Sequence, residues 1–335
     1  MKFFSNIKGL QKWRLLIQVI FILLSIWIGI DFYLFNHYLA TDGQAVFYSR
    51  PPGVDAFLPI SGFLSLIYFF KTGIIHPVHP AGFALLVSFL LMSFVFAKSF
   101  CSWVCVFGTL SEKLADFGEF IFKRKIKMPK VLDIIFRSLK YLLLAFIIFA
   151  FLGMSTPALK AFLDGDFNVI CDVRMFNFFA EISNLTILIF WGLMLLSLVF
   201  RGFWCRYLCP LGGVMNIMGL LSPHKIKRNS ESCINCKKCS EVCPAFIKVD
   251  SLKMVVSDEC SSCMKCIDIC PVKDTLTLKP IVSKKSIQKK WVMISVVFIF
   301  LAITAIAMLM GKWQNNVTKE DYLEIYQNSK ELRYY

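Results

Sequence analysis

The chain has little acid, little histidine and none of the short motifs that mark a nucleotide enzyme. Its 335 residues hold 22 Asp and Glu against 37 Lys and Arg, a formal net charge of +15, with only four histidines. No P-loop, G-x-G-x-x-G fingerprint or H-E-x-x-H is present, which leaves the chain without a nicotinamide site of its own. No C-x-x-C-H is present either, so covalent haem attachment is excluded. The first 14 residues carry Lys2, Lys8, Lys12 and Arg14 and no acid. A basic start before an apolar run resembles a signal peptide, but no small-x-small cleavage site follows. It reads as a retained helix with its N-terminus inside.

What the chain has in excess is apolar surface. Hydrophobic residues make up 57% and the mean hydropathy is +0.64, too high for a soluble protein of this size. The load of 34 Phe, 10 Tyr and 7 Trp suits lipid-facing and interfacial helices. In such a protein the positive charge reads as cytoplasmic loops, not as a nucleic-acid surface. Spans are expected at Leu15–Phe35, Pro80–Ala97, Tyr141–Leu159, Ile182–Phe200 and Trp291–Gly311. The run 56–70 is interrupted by Pro59 and Gly62 and falls short of the roughly 20 residues a span needs, so it reads as an interfacial or re-entrant helix. Residues 98–140 hold nine Lys and Arg, and residues 222–290 hold fourteen against seven acids. Both segments are therefore expected in the cytoplasm. Residues 160–181 are expected outside, as is a short periplasmic tail over 313–335, where Thr318 and Asp321 would cap a short amphipathic helix.

Thirteen cysteines remain to be explained. Eight lie in CINCKKCSEVCP, from Cys233, and CSSCMKCIDICP, from Cys260. Each is C-x2-C-x2-C-x3-C-P, the spacing of a bacterial two-cluster [4Fe–4S] ferredoxin, in which the fourth Cys of one run ligates the other cluster. Cys233, Cys236, Cys239 and Cys270 are therefore assigned to one cluster, and Cys260, Cys263, Cys266 and Cys243 to the second. Zinc also uses paired C-x2-C, but it does not call for three Cys at every third position twice over. The fold class that follows is an α-helical integral membrane protein of about five spans with an inserted cytoplasmic α+β ferredoxin domain. Its domains run 1–221 (four spans), 222–282 (ferredoxin), 283–312 (fifth span) and 313–335 (tail).

Four more cysteines form a repeat. Phe100-Cys-Ser-Trp-Val-Cys-Val-Phe-Gly matches Trp204-Cys-Arg-Tyr-Leu-Cys-Pro-Leu-Gly, pairing Cys101 with Cys205, Cys105 with Cys209 and Gly108 with Gly212. On a continuing helix the two thiols of each C-x3-C would face one side. Two such hairpins would bring all four together. Three readings stand: a third metal or cluster site, thiol–disulfide redox chemistry, or small residues at a crowded helix contact.

This order of spans, C-x3-C, spans, C-x3-C-P and tandem ferredoxin resembles the NapH/NosR family of membrane-bound polyferredoxins, with the related FixG-type accessory proteins. The resemblance covers about residues 10–280. Arg50-Pro-Pro, His76-Pro-Val-His79-Pro and Cys105-x-Phe-Gly-Thr-Leu-Ser-Glu112 resemble the NosR-like branch, whereas Val106 stands where the family motif has Pro. The resemblance implies electron transfer between the quinone pool, membrane partners and respiratory reductases, or a part in their maturation.

The expectation is thus an electron-transfer component of a bacterial inner membrane. Its redox partner would be a quinol, a periplasmic flavoprotein or a partner subunit. A FixG-like metal reductase or maturation factor and a redox-sensing regulator are the alternatives. His37, His76 and His79 lie near the outer ends of the spans, where quinol contact, haem ligation and plain loop structure compete. His224 reads as a surface residue. Cys171 reads as a lone buried thiol or a contact for a partner or flavin. Asp31 faces either an aqueous pocket or the headgroups.

Overall fold

The computed structural model describes residues 9–283 and 285–331; Lys2, Lys8, Lys284, Tyr334 and Tyr335 lie outside them. The chain is mostly helical, in the order α1 Leu10–Ala40, α2 Pro59–Thr72, α3 Pro80–Val95, α4 Ser99–Trp103, α5 Val106–Phe122, α6 Lys130–Leu152, α7 Thr156–Asp164 and α8 Asp166–Val169. It continues through α9 Cys171–Ala180, α10 Asn184–Val199, α11 Pro210–Leu221, β1 His224–Arg228, α12 Lys238–Glu241, α13 Lys265–Ile269, β2 Leu276–Pro280, α14 Lys289–Leu309 and α15 Lys319–Glu331.

Among the described residues three helices, α1, α6 and α14, are long and apolar enough to cross a membrane, and α9 with α10 makes a fourth if that pair, bent by 89°, is one span. The remaining expected span, α3, is an apolar helix of 16 residues. On these helices large apolar side chains face outward, with Phe149 85% and Leu309 87% exposed. Leaving such a side chain in water forgoes about 1.5–3 kcal/mol of burial, so the surface suits lipid. Helix α6 begins at Lys130, eleven residues before the expected span, and ends at Leu152, short of Leu159. Its first turns carry Asp133, Arg137 and Lys140, which hydropathy alone assigns to a loop. At the other end Gly153 and Pro157 stop it.

The residues fall into two compact units. The first comprises the chain up to Ile22, Phe89–Ala145 and Phe190–Phe300. Within it the ferredoxin segment is closed by an antiparallel pair, β1 and β2, in register from His224 opposite Pro280 to Arg228 opposite Leu276. His224 is not the surface residue expected: it is half-buried, and its Nδ1 lies 2.8 Å from the carbonyl of Val95.

The second unit comprises Leu23–Ser88, Phe146–Ile189 and the chain from Leu301 on. Its core gathers Phe32, Phe35, Tyr38 and Leu39 of α1 with Val54, Ile170, Val173 and Tyr322. Helix α15 carries the expected cap. The Thr318 amide donates to Asp321 Oδ2 at 3.1 Å and the Asp321 amide to Thr318 Oγ1 at 3.2 Å, a reciprocal capping box.

Candidate functional site

The tandem C-x2-C-x2-C motif bends its backbone in the same way twice. Asn235 and Lys237 in the first run, and Ser262 and Met264 in the second, all take positive φ, between 45° and 61°. These positions flank the second Cys of each run, Cys236 and Cys263, and non-glycine residues enter this region at a cost. Alternating the backbone this way curls the amides toward a common centre, as in an anion-binding nest. Each run encloses a hollow, and the two hollows are alike in size. One is lined by Cys233, Cys236, Cys239 and Cys270 with Pro271. The other is lined by Cys243, Cys260, Cys263 and Cys266 with Pro244. Three thiols of each run thus meet the fourth thiol of the other.

The two hollows differ in cover. Cys236 is exposed, Cys233 and Cys270 half-buried and Cys239 buried at the first, whereas Cys243, Cys263 and Cys266 are buried and Cys260 half-buried at the second. Burial pushes the Cys260 thiol up to about 12. At the open hollow the Asn235 amide and the Arg228 side chain lower the Cys233 thiol instead. Among the described residues no three His, Cys, Asp or Glu side chains converge on a single-ion site. Four thiols ringed around a hollow fit a multi-iron cube, which holds its ligands farther apart than one zinc ion does.

The C-x3-C repeats are built alike, but not on continuing helices. After α3 the chain turns left-handed at Ala97 (φ 54°), and after α10 at Gly202 (φ 67°). A short helical segment then carries Cys101 in α4 and Cys205 in a π-type turn over Trp204–Leu208. Cys105 and Cys209 are extended and cap the next helices, α5 and α11. Their Sγ atoms accept the amides of Gly108 at 3.4 Å and Gly212 at 3.3 Å. The break therefore forms at Cys105 although Val106 replaces Pro. The thiol cap and Gly108, where any Cβ would run into the Cys101 carbonyl, make it without the ring.

These breaks bring the four thiols into one buried neighbourhood. Cys101 senses the charge of Cys105, Cys205 and Cys209, and Cys205 that of Cys105 and Cys209. Burial pushes Cys105 up to about 11 and Cys205 to about 12. Lys98 is 5% exposed, with the Glu259 carboxylate 3.7 Å away. Burial disfavours its charge, but Glu259, Cys101, Cys205 and Cys209 outweigh that and hold it protonated. A cavity of 120 Å³ is lined by Lys98, Cys101, Cys205, Pro244, Ala245 and Ser261, among others. One space therefore borders the first thiol of each C-x3-C pair, Cys101 and Cys205, and the loops that carry Cys243 and Cys260.

Charged and polar side chains bolt the ferredoxin segment to the helix ends beneath it. Trp103, fully buried, donates from Nε1 to the Ser262 carbonyl at 3.1 Å, and the Lys98 amide donates to the Cys260 carbonyl at 3.3 Å. Arg137 and Tyr141 of α6 reach Asp258 at 2.7 and 2.8 Å, and Lys140 reaches Glu259 at 2.5 Å. Glu112 of α5 pairs with Arg14 and, at 2.6 Å, with Lys265. Sequence reasoning missed these residues. It took the Lys and Arg of 98–140 as solvated loop charge, and the only available signal was that Asp133, Arg137 and Lys140 recur at helical spacing.

In the second unit a separate ion cluster forms. Arg50 pairs with Asp55 and Asp172, and His79 Nδ1 lies 3.0 Å from Asp55. His79 Nε2 lies 2.7 Å from the Asn168 carbonyl, so both ring nitrogens face acceptors and the ring is cationic. Burial lowers the His79 pKa, but the hydrogen bond and charge of Asp55 overcome it and raise it to about 10. Asp55 is held down at about 2, burial being outweighed by Arg50 and His79. Cys171 Sγ lies 3.8 Å from His79 Nε2. His76 is buried, with Nε2 3.1 Å from Asp164. Asp31 is half-buried, and the ring of His37 lies 6.5 Å from that of Tyr33. The structure thus makes His79 an ion-pair residue; these side chains belong to the second unit and the cysteine motifs to the first.

Two family models match the chain. A 4Fe-4S binding domain matches residues 78–129 and 184–229, the two C-x3-C repeats, and a 4Fe-4S dicluster domain matches residues 225–271. No solved structure matches. Among curated proteins, YccM of Escherichia coli strain K12, named as an electron transport protein, is 41% identical over 320 residues, covering 94% of this chain and 90% of that protein. The methylamine utilization ferredoxin-type protein MauN of Methylobacillus flagellatus is 26% identical over 58% of this chain and 62% of its own length. Protein NirI of Paracoccus denitrificans is 27% identical over 43% of this chain and 21% of its own length. Matched to YccM over nearly its whole length and carrying both 4Fe-4S domains, the chain belongs to the membrane-bound polyferredoxins, electron-transport proteins built on 4Fe-4S ferredoxin domains.

Proposed function

We propose that the chain conducts electrons between a membrane or outer-face partner and a partner at the ferredoxin surface, through three [4Fe–4S] clusters. Cys233, Cys236, Cys239 and Cys270 would hold the first. Cys260, Cys263, Cys266 and Cys243 would hold the second, and Cys101, Cys105, Cys205 and Cys209 the third. Each cluster, when bound, supplies reversible one-electron transfer. The observation that carries this reading is the cavity bordered by Cys101 and Cys205, the first thiol of each C-x3-C pair, and by residues next to Cys243 and Cys260, which makes the third site a neighbour of the second.

The residues around the C-x3-C thiols favour a cluster over the other two readings. Redox thiols work with a lowered pKa, whereas Cys101, Cys105 and Cys205 are raised by burial as Cys260 is at the ferredoxin hollow. Plain packing gives no account of Lys98, a buried cation with a long carboxylate contact and three thiol neighbours. Thiolates and an anionic cluster would supply the negative charge that Lys98 lacks. Lys98, Lys140 and Arg137 around Glu259 would tune potential through charge and burial. The more exposed first hollow is the exchange face.

The excess of Lys and Arg in 98–140 and 222–290 supports an inner-membrane protein with its N-terminus and ferredoxin domain in the cytoplasm and its C-terminus in the periplasm. Five spans satisfy that charge map. The family supports a quinol, a flavoprotein or a respiratory partner subunit as the second redox partner.

Anaerobic iron analysis with EPR titration tests the proposal. About twelve iron atoms per chain are expected, four for each cube, and Cys101→Ser with Cys205→Ser should remove about four of them together with one EPR signal. Unchanged iron and spectra in that variant would reduce the C-x3-C thiols to packing. Two or fewer iron atoms in the native chain would sink the cluster reading.

A further inference from the structure

A cavity of 440 Å³ lies beside the second ferredoxin hollow, walled by the segment leading into α6, the stretch following α10 and the loop Ala245–Lys248. Six cationic side chains line it against two carboxylates. Both carboxylates are already committed, in part to the arginines and the tyrosine of the same wall. Asp133 accepts from Arg206 at 3.0 Å and from Tyr207 at 2.6 Å, and Glu259 accepts from Lys140 at 2.5 Å. Lys127, Lys130 and Lys248 are exposed, and none of them pairs with a carboxylate among the described residues. The ammonium of Lys127 stands 5.2 Å from the centre of the Phe246 ring, itself on a left-handed backbone (φ 58°). Three lysines thus line one space with no carboxylate of the described residues within ion-pair distance of any of them.

The position of the cavity says what meets them. Phe200 follows the last residue of α10 and Lys130 opens the charged first turns of α6, so the cavity lies where the end of one apolar helix meets the basic start of another. Ile126, Met128 and Phe200 share its wall with the lysines. A soluble anion has no use for that apolar wall, and an acidic protein would need a broad face, not a recess of this volume. A phosphodiester with a glycerol backbone matches both halves. Basic recesses between span ends on the cytoplasmic side are sites for anionic lipid headgroups.

We propose that this cavity binds the headgroup of an anionic phospholipid, with Lys127, Lys130 and Lys248 on the phosphate. The lipid would tie the ends of α6 and α10 to the loop after Cys243-Pro244, so membrane composition would bear on the loop that shields the second hollow.

Native mass spectrometry of the full chain, purified anaerobically in detergent and titrated with phosphatidylglycerol, cardiolipin or phosphatidylcholine, tests this. The native chain should retain one anionic lipid in preference to phosphatidylcholine. The variant K127Q/K130Q/K248Q should bind it on the order of 100-fold more weakly, at about 1 kcal/mol per lysine, with its iron content unchanged. The control K123Q/R124Q, which removes charge outside the cavity, should retain the lipid. Should the triple variant lose iron, the single substitutions K130Q and K248Q are compared instead. Equal retention by the cavity variants would overturn the proposal. So would equal loss in the control, displacement of the lipid by millimolar inorganic phosphate, or an acidic protein cross-linked through Lys127 or Lys248 in membranes.

Discussion

At the scale of single residues, the cluster of Arg50, Asp55, His79 and Asp172 shows how completely a charged group can be committed. Arg50 is 7% exposed, Asp55 3% and Asp172 fully buried. Removing one partner strands the others, which costs about 3–5 kcal/mol. Asp172→Asn should therefore lower the thermal midpoint of the purified protein sharply, whereas Asp166→Asn, on an exposed neighbour, should leave it unmoved. The pH dependence follows from the shifts. His79 has a folded pKa raised to about 10, so its contribution is full below its unfolded value and is lost as pH rises through about 10. Asp55, held at about 2, contributes fully above its unfolded value and loses that only as pH falls through about 2. Melting curves from pH 6 to 10 should show a decline in the native chain that His79→Gln flattens. A parallel decline in both proteins would assign the effect elsewhere.

At the scale of elements, the C-x3-C hairpins separate what the sequence discloses from what it hides. The repeat, its paired thiols and the glycine three residues after each second Cys are all legible in residues 100–110 and 204–214. The helix break at Cys105 is not, because the residue that usually signals it, Pro, is Val106. The break depends instead on a sulfur cap and on a close backbone approach, both of which exist only after folding. The early start of α6 was hidden for a related reason. Arg137 and Lys140 look like loop charge until Asp258 and Glu259, well over 100 positions later, turn to meet them, and so does Asp133 until Arg206 reaches it. The ferredoxin hollows were the most legible part, because their ligand spacing is local.

The same element predicts unequal glycines. A Cβ at Gly108 would drive into the Cys101 carbonyl, whereas at Gly212 it would stand 3.2 Å from the Cys205 carbonyl. Gly108→Ala should therefore disrupt the hairpin and strip iron from the C-x3-C site, measured against the ferredoxin signals as an internal reference. Gly212→Ala should lose far less. Equal effects would mean that the two hairpins do not differ at this contact.

At the scale of the whole molecule, charge, span and cofactor answer to one another. The excess of Lys and Arg that marks the loops in sequence is divided in the structure among three tasks. Some residues pair with carboxylates at the ferredoxin floor, as Arg137 does with Asp258. Lys98 lies beside thiols. Others, such as Lys127 and Lys130, stay free at the ends of apolar helices. A net charge of +15 is then the sum of a structural, an electronic and an interfacial requirement, and only the last is visible from composition.

The uneven cover of the two ferredoxin hollows bears on durability and on the order of assembly. An iron–sulfur cube is built from outside, and its sulfurs are attacked from outside. The second hollow, with Cys243, Cys263 and Cys266 buried and its floor clamped by Trp103, would have to be filled before the segment docks onto the helix ends. The first, with Cys236 exposed, stays open to filling afterwards. Timed exposure to air or to an iron chelator should accordingly remove the two ferredoxin signals in sequence, the Cys236 cluster first. Trp103→Phe should bring the two losses closer together. A protein arranged this way would keep a damaged outer cluster replaceable without dismantling the membrane helices that hold the inner one.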